Sequence, residues 1–468
     1  MKKTILLFIL IFCLVLTTSC VIKEVPDPVV TFSDANLDDV IRGRINKPTG
    51  DIHASELVSV TGLYVDEAEI TNLSGLENCT ELRNLTLERT KISDLAPLAG
   101  LTRLEYLALD GNQISDLTPL AGLTELKELD LRYNKISDLT PLAGLPELMF
   151  LYLYSNNISD LTPLASLTEL KELVLSGNKV SNLSPLDGLI NLNELYLDEN
   201  QISDIAPLAG LTDLKYLNLI NNQVTNLAPL AGLTKLVSLT LRSNKISDLS
   251  PLAGLTSLRT LVIDGNEISD LSPLASLVEL YDLWVGNKIS DLTPLAGLTG
   301  LTRLILSGNQ ISDLSPLKGL TNLYALNLDR NQISDLTPLA GLPRLGDFSL
   351  EDNLIRDLTP LMSLPKLKSL YLGDNQIRDL TPLMSVPKLK SLFLGDNQIE
   401  DLTPLTGMNS LNVIALQRNH ISDIAPLVNN RGLTTGDTVS LVSNPLSPFS
   451  INEYIPALQA RGVQVQLQ

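Results

Sequence analysis

The sequence predicts an α/β solenoid, a coil of short strands and short helical returns stacked along one axis. Three observations predict it. An asparagine recurs every 22 residues, from Asn112, Asn134 and Asn156 to Asn266, and after one 21-residue step it resumes from Asn287 to Asn419. Leucines alternate with variable residues just before it, as in Leu107-x-Leu109-x-x-Asn112. A turn sequence such as Thr118-Pro119-Leu120 follows it. A fixed period of this length marks an architecture in which each repeat packs only on its neighbours and the stack shares one core.

The chain opens with Lys2 and Lys3 and an apolar run from Ile5 to Leu16. That run is too short to cross a bilayer as a mature helix, so residues 1–19 read as a secretory signal peptide. Thr17-Thr18-Ser19-Cys20 resembles a bacterial lipoprotein processing site, which implies lipidation of Cys20. The match departs from the usual pattern at Thr17, where leucine is common. Cleavage without lipidation, giving a secreted protein, is the alternative. Residues 20–30, with Pro26 and Pro28, then form a tether.

Residues 31–56 read as an N-terminal helical cap. Leu37, Val40, Ile41 and Ile45 fall on one side of a helix, and Ser33 or Asp34 caps it. A solenoid needs such a cap because its first repeat otherwise exposes the core.

In each repeat, Leu107 and Leu109 belong to a strand with one buried face. Asn112 has two donors and an acceptor to bond backbone groups of its turn and of the next repeat. Such a regular polar residue among leucines requires those bonds. Thr118 reads as a helix cap, Pro119 as the first helical residue and Gly122 as the stop, which leaves room for a 3₁₀ turn only. Thr90 and Ala68 replace the asparagine early on, and a spaced-out last repeat ends at Asn444. At the other end, residues 446–468 read as a C-terminal cap. Ser450 and Glu453 have capping-box spacing, Gly462 stops the helix, and Val463-Gln-Val465-Gln-Leu467 alternates as a final strand.

The frame Leu104-x-x-Leu107-x-Leu109-x-x-Asn112-x-Ile114 resembles the leucine-rich repeat family, in the 22-residue bacterial type of internalin-like surface proteins. The resemblance spans residues 57–445, about eighteen repeats. It implies a horseshoe with a parallel sheet on the concave side, short 3₁₀ turns on the convex side, and outward strand residues lining the concave surface.

The formal charge of −19 disfavours nucleic acid as a partner. Much of the acidity is architectural, since an aspartate holds one turn position from Asp94 and Asp116 to Asp423. Backbone N–H groups of the turn are the expected compensation; bound Ca²⁺ is the alternative. Cys13 lies in the leader and Cys79 in a core slot, so no disulfide is expected if Cys20 carries lipid. His53 and His420 have no partner at metal-ligand or triad spacing, and no phosphate-cradling loop or nucleophile elbow is present. The sequence therefore implies no catalytic residue, no metal and no cofactor.

What remains are the strand residues six, four and two places before each asparagine. They hold Tyr64, Tyr106, Phe150, Tyr152, Tyr154, Tyr196, Tyr216, Tyr371 and Phe393, and Trp284 takes such a place three before Asn287 in the repeat that is one residue short, ten of the 17 aromatics left after Phe8 and Phe12 of the leader. Strand preference accounts for some of them, yet the buried slots are almost all leucine. Aromatics concentrated on a rigid surface are what binding requires. Glu128, Asp130, Glu172, Glu194 and Asp198 surround the first group, with Arg132 among them, which suits a basic or amphipathic protein. Lys366, Lys368, Lys388 and Lys390 flank Tyr371 and Phe393. The expected function is a non-catalytic, monomeric, lipid-anchored surface protein that binds a protein partner. A glycan ligand, or a scaffold resembling phosphatase-regulating leucine-rich-repeat proteins, is the alternative. The step Leu283-Trp284-Val285-Gly286-Asn287 is one residue short and predicts a tightened turn beside the only tryptophan.

Overall fold

The computed structural model describes residues 27–67 and 69–467. The signal peptide, Cys20, the first part of the tether and Ala68 lie outside the described residues. The architecture is an open sheet of 19 parallel strands, from Gly62–Asp66 to Gln464–Gln466, each joined to the next by a short convex turn. Every strand pairs in register with its chain neighbour, as in Leu195↔Leu217↔Leu239. The order follows the chain because 22 residues allow one strand, one turn and one return, and nothing longer.

The core is a set of aliphatic columns. In one repeat Leu104, Leu107, Leu109, Ile114, Leu117, Leu120 and Leu123 are all buried, and the pattern recurs along the stack. Each buried leucine contributes roughly 1.5–3 kcal/mol relative to exposure. One repeat cannot hide these side chains alone, so the energy appears only on stacking. Phe348 stands in one leucine column and is fully buried.

The asparagine ladder runs beside this core. Asn200 Nδ2 donates to Leu197 O of its own repeat (3.1 Å) and to Leu175 O of the preceding one (2.9 Å). Its Oδ1 accepts from Val180 N–H (2.8 Å), also in the preceding repeat. The side chain thus reaches backwards, not to the next repeat as the sequence alone suggests. Thr90 replaces one rung by donating its hydroxyl to Asn112 Oδ1 (2.6 Å). Asn444 makes the same backward bonds to Leu416 O (2.8 Å) and from Ile421 N–H (3.2 Å).

The turn differs from expectation in two places. The capping group is Asp116, not Thr118: Asp116 Oδ1 accepts the Thr118 N–H (2.8 Å), and Thr118 is already the first 3₁₀ residue. The same bond recurs along the column, with Asn182 and Asn226 substituting (3.0 and 2.9 Å). The turn N–H groups therefore compensate the aspartates, as the charge pattern predicts. In Asp138 the Thr140 hydroxyl and N–H hold the carboxyl below the usual carboxylate range. Gly122 is not a left-handed stop, since its turn ends at Leu120 and Gly144 lies within its own turn. Serine takes the same place elsewhere, Ser166 Oγ donating to Ala143 O (2.9 Å).

The ends are closed by helices. Helix α1 (Ala35–Ile45) buries Leu37 and Ile41 and half-buries Val40 and Ile45. Asp34 caps it, accepting from Asn36 and Leu37 N–H (3.0 and 3.2 Å), and also accepts from Thr71 N–H (2.8 Å). That last bond ties the cap to the first repeat. At the other end the capping box at Ser450 is absent. Its backbone is already helical, its N–H donates to Ser447 Oγ (3.1 Å), and its hydroxyl donates to Ser422 O (2.9 Å). Gly462, with φ of 84°, does end the helix, and Gln464–Gln466 completes the sheet.

The 21-residue step changes the spine. Elsewhere the residue before the ladder asparagine is left-handed, as at Tyr133, Ser155 and Glu199 (φ 53°, 55° and 56°); Gly286 is not. The turn is tightened by losing that residue. Asn287 Oδ1 consequently accepts from Asn266 N–H (2.7 Å) instead of from the isoleucine two places on. Asn266 and Asn287 are half-buried, whereas the other rungs from Asn112 to Asn419 are buried.

Candidate binding surface on the concave sheet

Strand alternation points every second side chain away from the core. The outward positions form three columns across the sheet, and neighbours in a column sit about 4.8 Å apart. One column runs Tyr106, Glu128, Phe150, Glu172, Glu194, Tyr216 on six consecutive strands. The next carries Asp130, Tyr152, Val174, Tyr196. Tyr154 follows on the strand of Tyr152. The structure therefore gathers Tyr106, Phe150, Tyr152, Tyr154, Tyr196 and Tyr216 into one continuous patch.

These rings are held, not loose. Tyr152 donates its hydroxyl to Glu172 Oε2 (3.2 Å), and Tyr196 donates to Glu194 Oε2 (2.9 Å). Arg132 grips the buried Asp130 through Nε to Oδ1 (2.9 Å) and Nη2 to Oδ2 (2.5 Å), and its guanidinium lies 5.8 Å from the Tyr152 ring centroid. Most of the rings are half-buried; Tyr216 and the separate Tyr64 are the exposed ones. Such packing fixes rotamers before a partner arrives, which lowers the entropy cost of binding.

The electrostatics are those of crowded, half-dry acids. Burial and then Asp130 push the Glu128 carboxyl up; burial and then Glu194 do the same to Glu172. Burial and then Glu172 raise the Tyr152 phenol, while the hydrogen bonds that Arg132 donates to Asp130 push its guanidinium further up. The patch is thus an aromatic surface with an unfavourable surplus of negative charge.

Trp284 lies apart from this patch, on the strand of the shortened repeat, with Nε1 donating to Asp282 Oδ1 (2.7 Å). Tyr371 and Phe393 form a separate pair farther along, on adjacent strands. Sequence reasoning missed Tyr133, which sits in the left-handed turn position and meets Tyr154 edge to face, centroids 4.9 Å apart. Its signal was a tyrosine next to a ladder asparagine. It also missed an acidic cleft of about 540 Å³ beside the shortened repeat, lined among others by Asp264, Gly286, Asp329, Glu351 and Asp374. The missing residue at Gly286 was the available signal.

Outside the sheet, His420 is exposed and His53 Nδ1 lies 3.2 Å from Asp27 O. Cys79 is buried, and burial pushes its thiol up to about 12. Among the described residues no group of three or more His, Cys, Asp or Glu side chains is placed to hold a metal ion. No described helix is long and apolar enough to cross a membrane.

Comparison with known proteins agrees with this geometry. The model of the family described as Leucine Rich repeats (2 copies) matches nine segments between residues 102 and 429. The structure of an internalin (inlF) from Listeria monocytogenes is 40% identical, with 68% of this chain and 95% of that one covered and a TM-score of 0.67. The leucine-rich-repeat protein LIC12759 from Leptospira interrogans shares the fold at 24% identity, covering 88% and 97%, with a TM-score of 0.66. The plant peptide hormone receptor RGFR1, solved in complex with RGF2, shares it at 22% identity, covering 89% and 81%, with a TM-score of 0.64. Curated protein sequences give no match. With repeats recognised over most of its length and an internalin aligned almost end to end, the chain belongs to the leucine-rich-repeat family, in its bacterial internalin-like form.

Proposed function

We propose that this protein is an exported, non-catalytic binding protein, anchored by lipid on Cys20, that holds a protein partner on its concave sheet. The observation that carries the reading is the block of six strands on which Tyr106, Phe150, Tyr152, Tyr154, Tyr196 and Tyr216 form one ordered aromatic surface. A partner that covers it removes apolar ring area from water without having to order the rings first. The excess of carboxylates around it selects lysine- or arginine-bearing surfaces and repels acidic ones. A charged guanidinium or ammonium seated there relieves the repulsion among Glu128, Glu172 and Glu194, so the partner gains what the free protein lacks.

The leader and Thr17-Thr18-Ser19-Cys20 support export and the anchor. A tethered solenoid presents its concave face without needing a second domain. Capture of the mature protein with its bound partner from its own membrane, followed by mass spectrometry, tests the reading. A protein enriched with wild type and retained when convex residues are changed supports it. No enrichment over a beads-only control contradicts it.

A further inference from the structure

A second surface lies on the edge that leads into the strands, nine and seven residues before the ladder asparagines. Upstream in these same columns, several cations are matched with acids one repeat away, while Lys171, Lys215 and Arg259, in no ion pair among the described residues, each stand singly between uncharged column neighbours. Arg83 Nη1 meets Glu105 Oε1 (2.5 Å), Lys127 Nζ meets Glu105 Oε2 (2.7 Å), Lys235 Nζ meets Asp213 Oδ1 (2.5 Å), and Arg103 pairs with Glu81. From residue 344 to 412 the two columns read Arg344, Gly346, Lys366, Lys368, Lys388, Lys390, Ser410 and Asn412, with no acid at all. The five cations are exposed, and among the described residues they take part in no ion pair.

Stacking like charges at a repeat of about 5 Å costs stability, on a molecule whose net charge is −19. Duplication of neighbouring repeats accounts for Lys388 and Lys390 copying Lys366 and Lys368. It does not account for Arg344, which extends the column from a repeat of different sequence. Four of the cations, Arg344, Lys366, Lys368 and Lys388, border a cleft of about 530 Å³. Tyr324 lines it, 46% exposed, its ring resting on Gly346, where a Cβ would come within 2.7 Å of Cε2.

We propose that this edge binds a linear anionic polysaccharide, one that carries sulfate, phosphate or carboxylate groups along its length. A row of ammonium groups one sugar unit apart meets the charges, and Tyr324 offers a ring for the apolar face of a sugar. A peptide adding to the sheet is disfavoured because the backbone there is already paired: Lys368 N–H donates to Gly346 O (2.7 Å) and Lys390 N–H to Lys368 O (2.8 Å). The site is separate from the concave patch, so either can fail without the other.

The test uses the mature chain on immobilised heparin as the sulfated probe, with neutral dextran, polyglutamate and anionic phospholipid vesicles beside it, across a salt series. Wild type is expected to bind heparin, to ignore dextran and to weaken steeply with salt. K366E/K388E and the milder R344Q/K366Q are expected to lose at least tenfold, with unchanged circular dichroism and melting. Tyr152→Ala should leave heparin binding unchanged. Absence of heparin binding, equal binding by both variants, or tighter binding to polyglutamate or vesicles overturns the proposal.

Discussion

Tyr371 and Phe393 lie face to face on adjacent strands, with ring centroids 4.5 Å apart and planes within 8° of parallel. Strand register places them there, and the repeat spacing equals a stacking distance. Such a pair adds about 0.5–1.5 kcal/mol beyond its burial. Phe393→Ala and Tyr371→Ala should each destabilise the protein, and the double variant should cost less than their sum by about 1 kcal/mol, read as a double-mutant cycle in urea. Strict additivity would mean the rings do not support each other.

The asparagine ladder should be unequal along its length. Asn200→Ala orphans Val180 N–H within a buried spine and removes one of the two amide donors on Leu175 O and on Leu197 O, which keep those of Asn178 and Asn222. An unsatisfied buried group costs about 1–3 kcal/mol, so a loss of that size is expected. Asn287→Ala should cost clearly less, because that rung is half-buried and donates to Ile263 O only (3.0 Å). Unfolding by urea decides it, and equal losses would contradict the ladder account.

The aspartate column predicts the acid response. Asp138 and its counterparts have folded pKa values below the unfolded ones, with the Thr140-type hydroxyl the larger cause and the N–H the second. Their contribution is therefore present above the unfolded carboxylate range and is lost as pH falls through the depressed values. Asn182 and Asn226 make the same turn bond without charge. Replacing Asp138, Asp160 and Asp335 by Asn should leave the fold and neutral-pH melting intact and make melting less dependent on pH in the acid range. A chelator should leave the melting temperature where it was.

Glu128 and Glu172 behave oppositely. Their carboxyls are pushed up, by burial first, so ionising them costs stability, and that cost grows as pH rises through the carboxylate range. Glu172→Gln should keep or slightly raise stability at neutral pH while weakening capture of a basic partner several-fold. A variant that melts lower and binds as well would reverse both assignments.

The repeat frame was legible because period and alternation are chain-level signals. Leu107, Leu109 and Asn112 announce their places by recurrence alone. The left-handed turn residue was not, because Arg89, Tyr133, Ser155 and Glu199 fill it with no common chemistry. Thr118 was mistaken for the cap because hydroxyl and carboxyl both suit that role, and only the backbone angles separate Asp116 from it. At the concave face, columns and aromatic content followed from the spacing, and the bonds from Tyr152 to Glu172 and from Arg132 to Asp130 did not. Those depend on rotamers chosen across strands. The edge cluster was half visible: the lysines stood out, while Arg344 and Tyr324 joined them only once the repeats were stacked.

The most direct measurement is the affinity of the captured partner for wild type and for Tyr152→Ala/Tyr154→Ala, with melting temperatures recorded for both. Truncating an anchoring aromatic costs about 2 kcal/mol or more in binding. The account predicts that the double variant keeps a cooperative melt close to that of wild type and binds at least thirtyfold more weakly. Affinity within twofold of wild type, in a protein that melts normally, would contradict it and place the partner elsewhere on the solenoid.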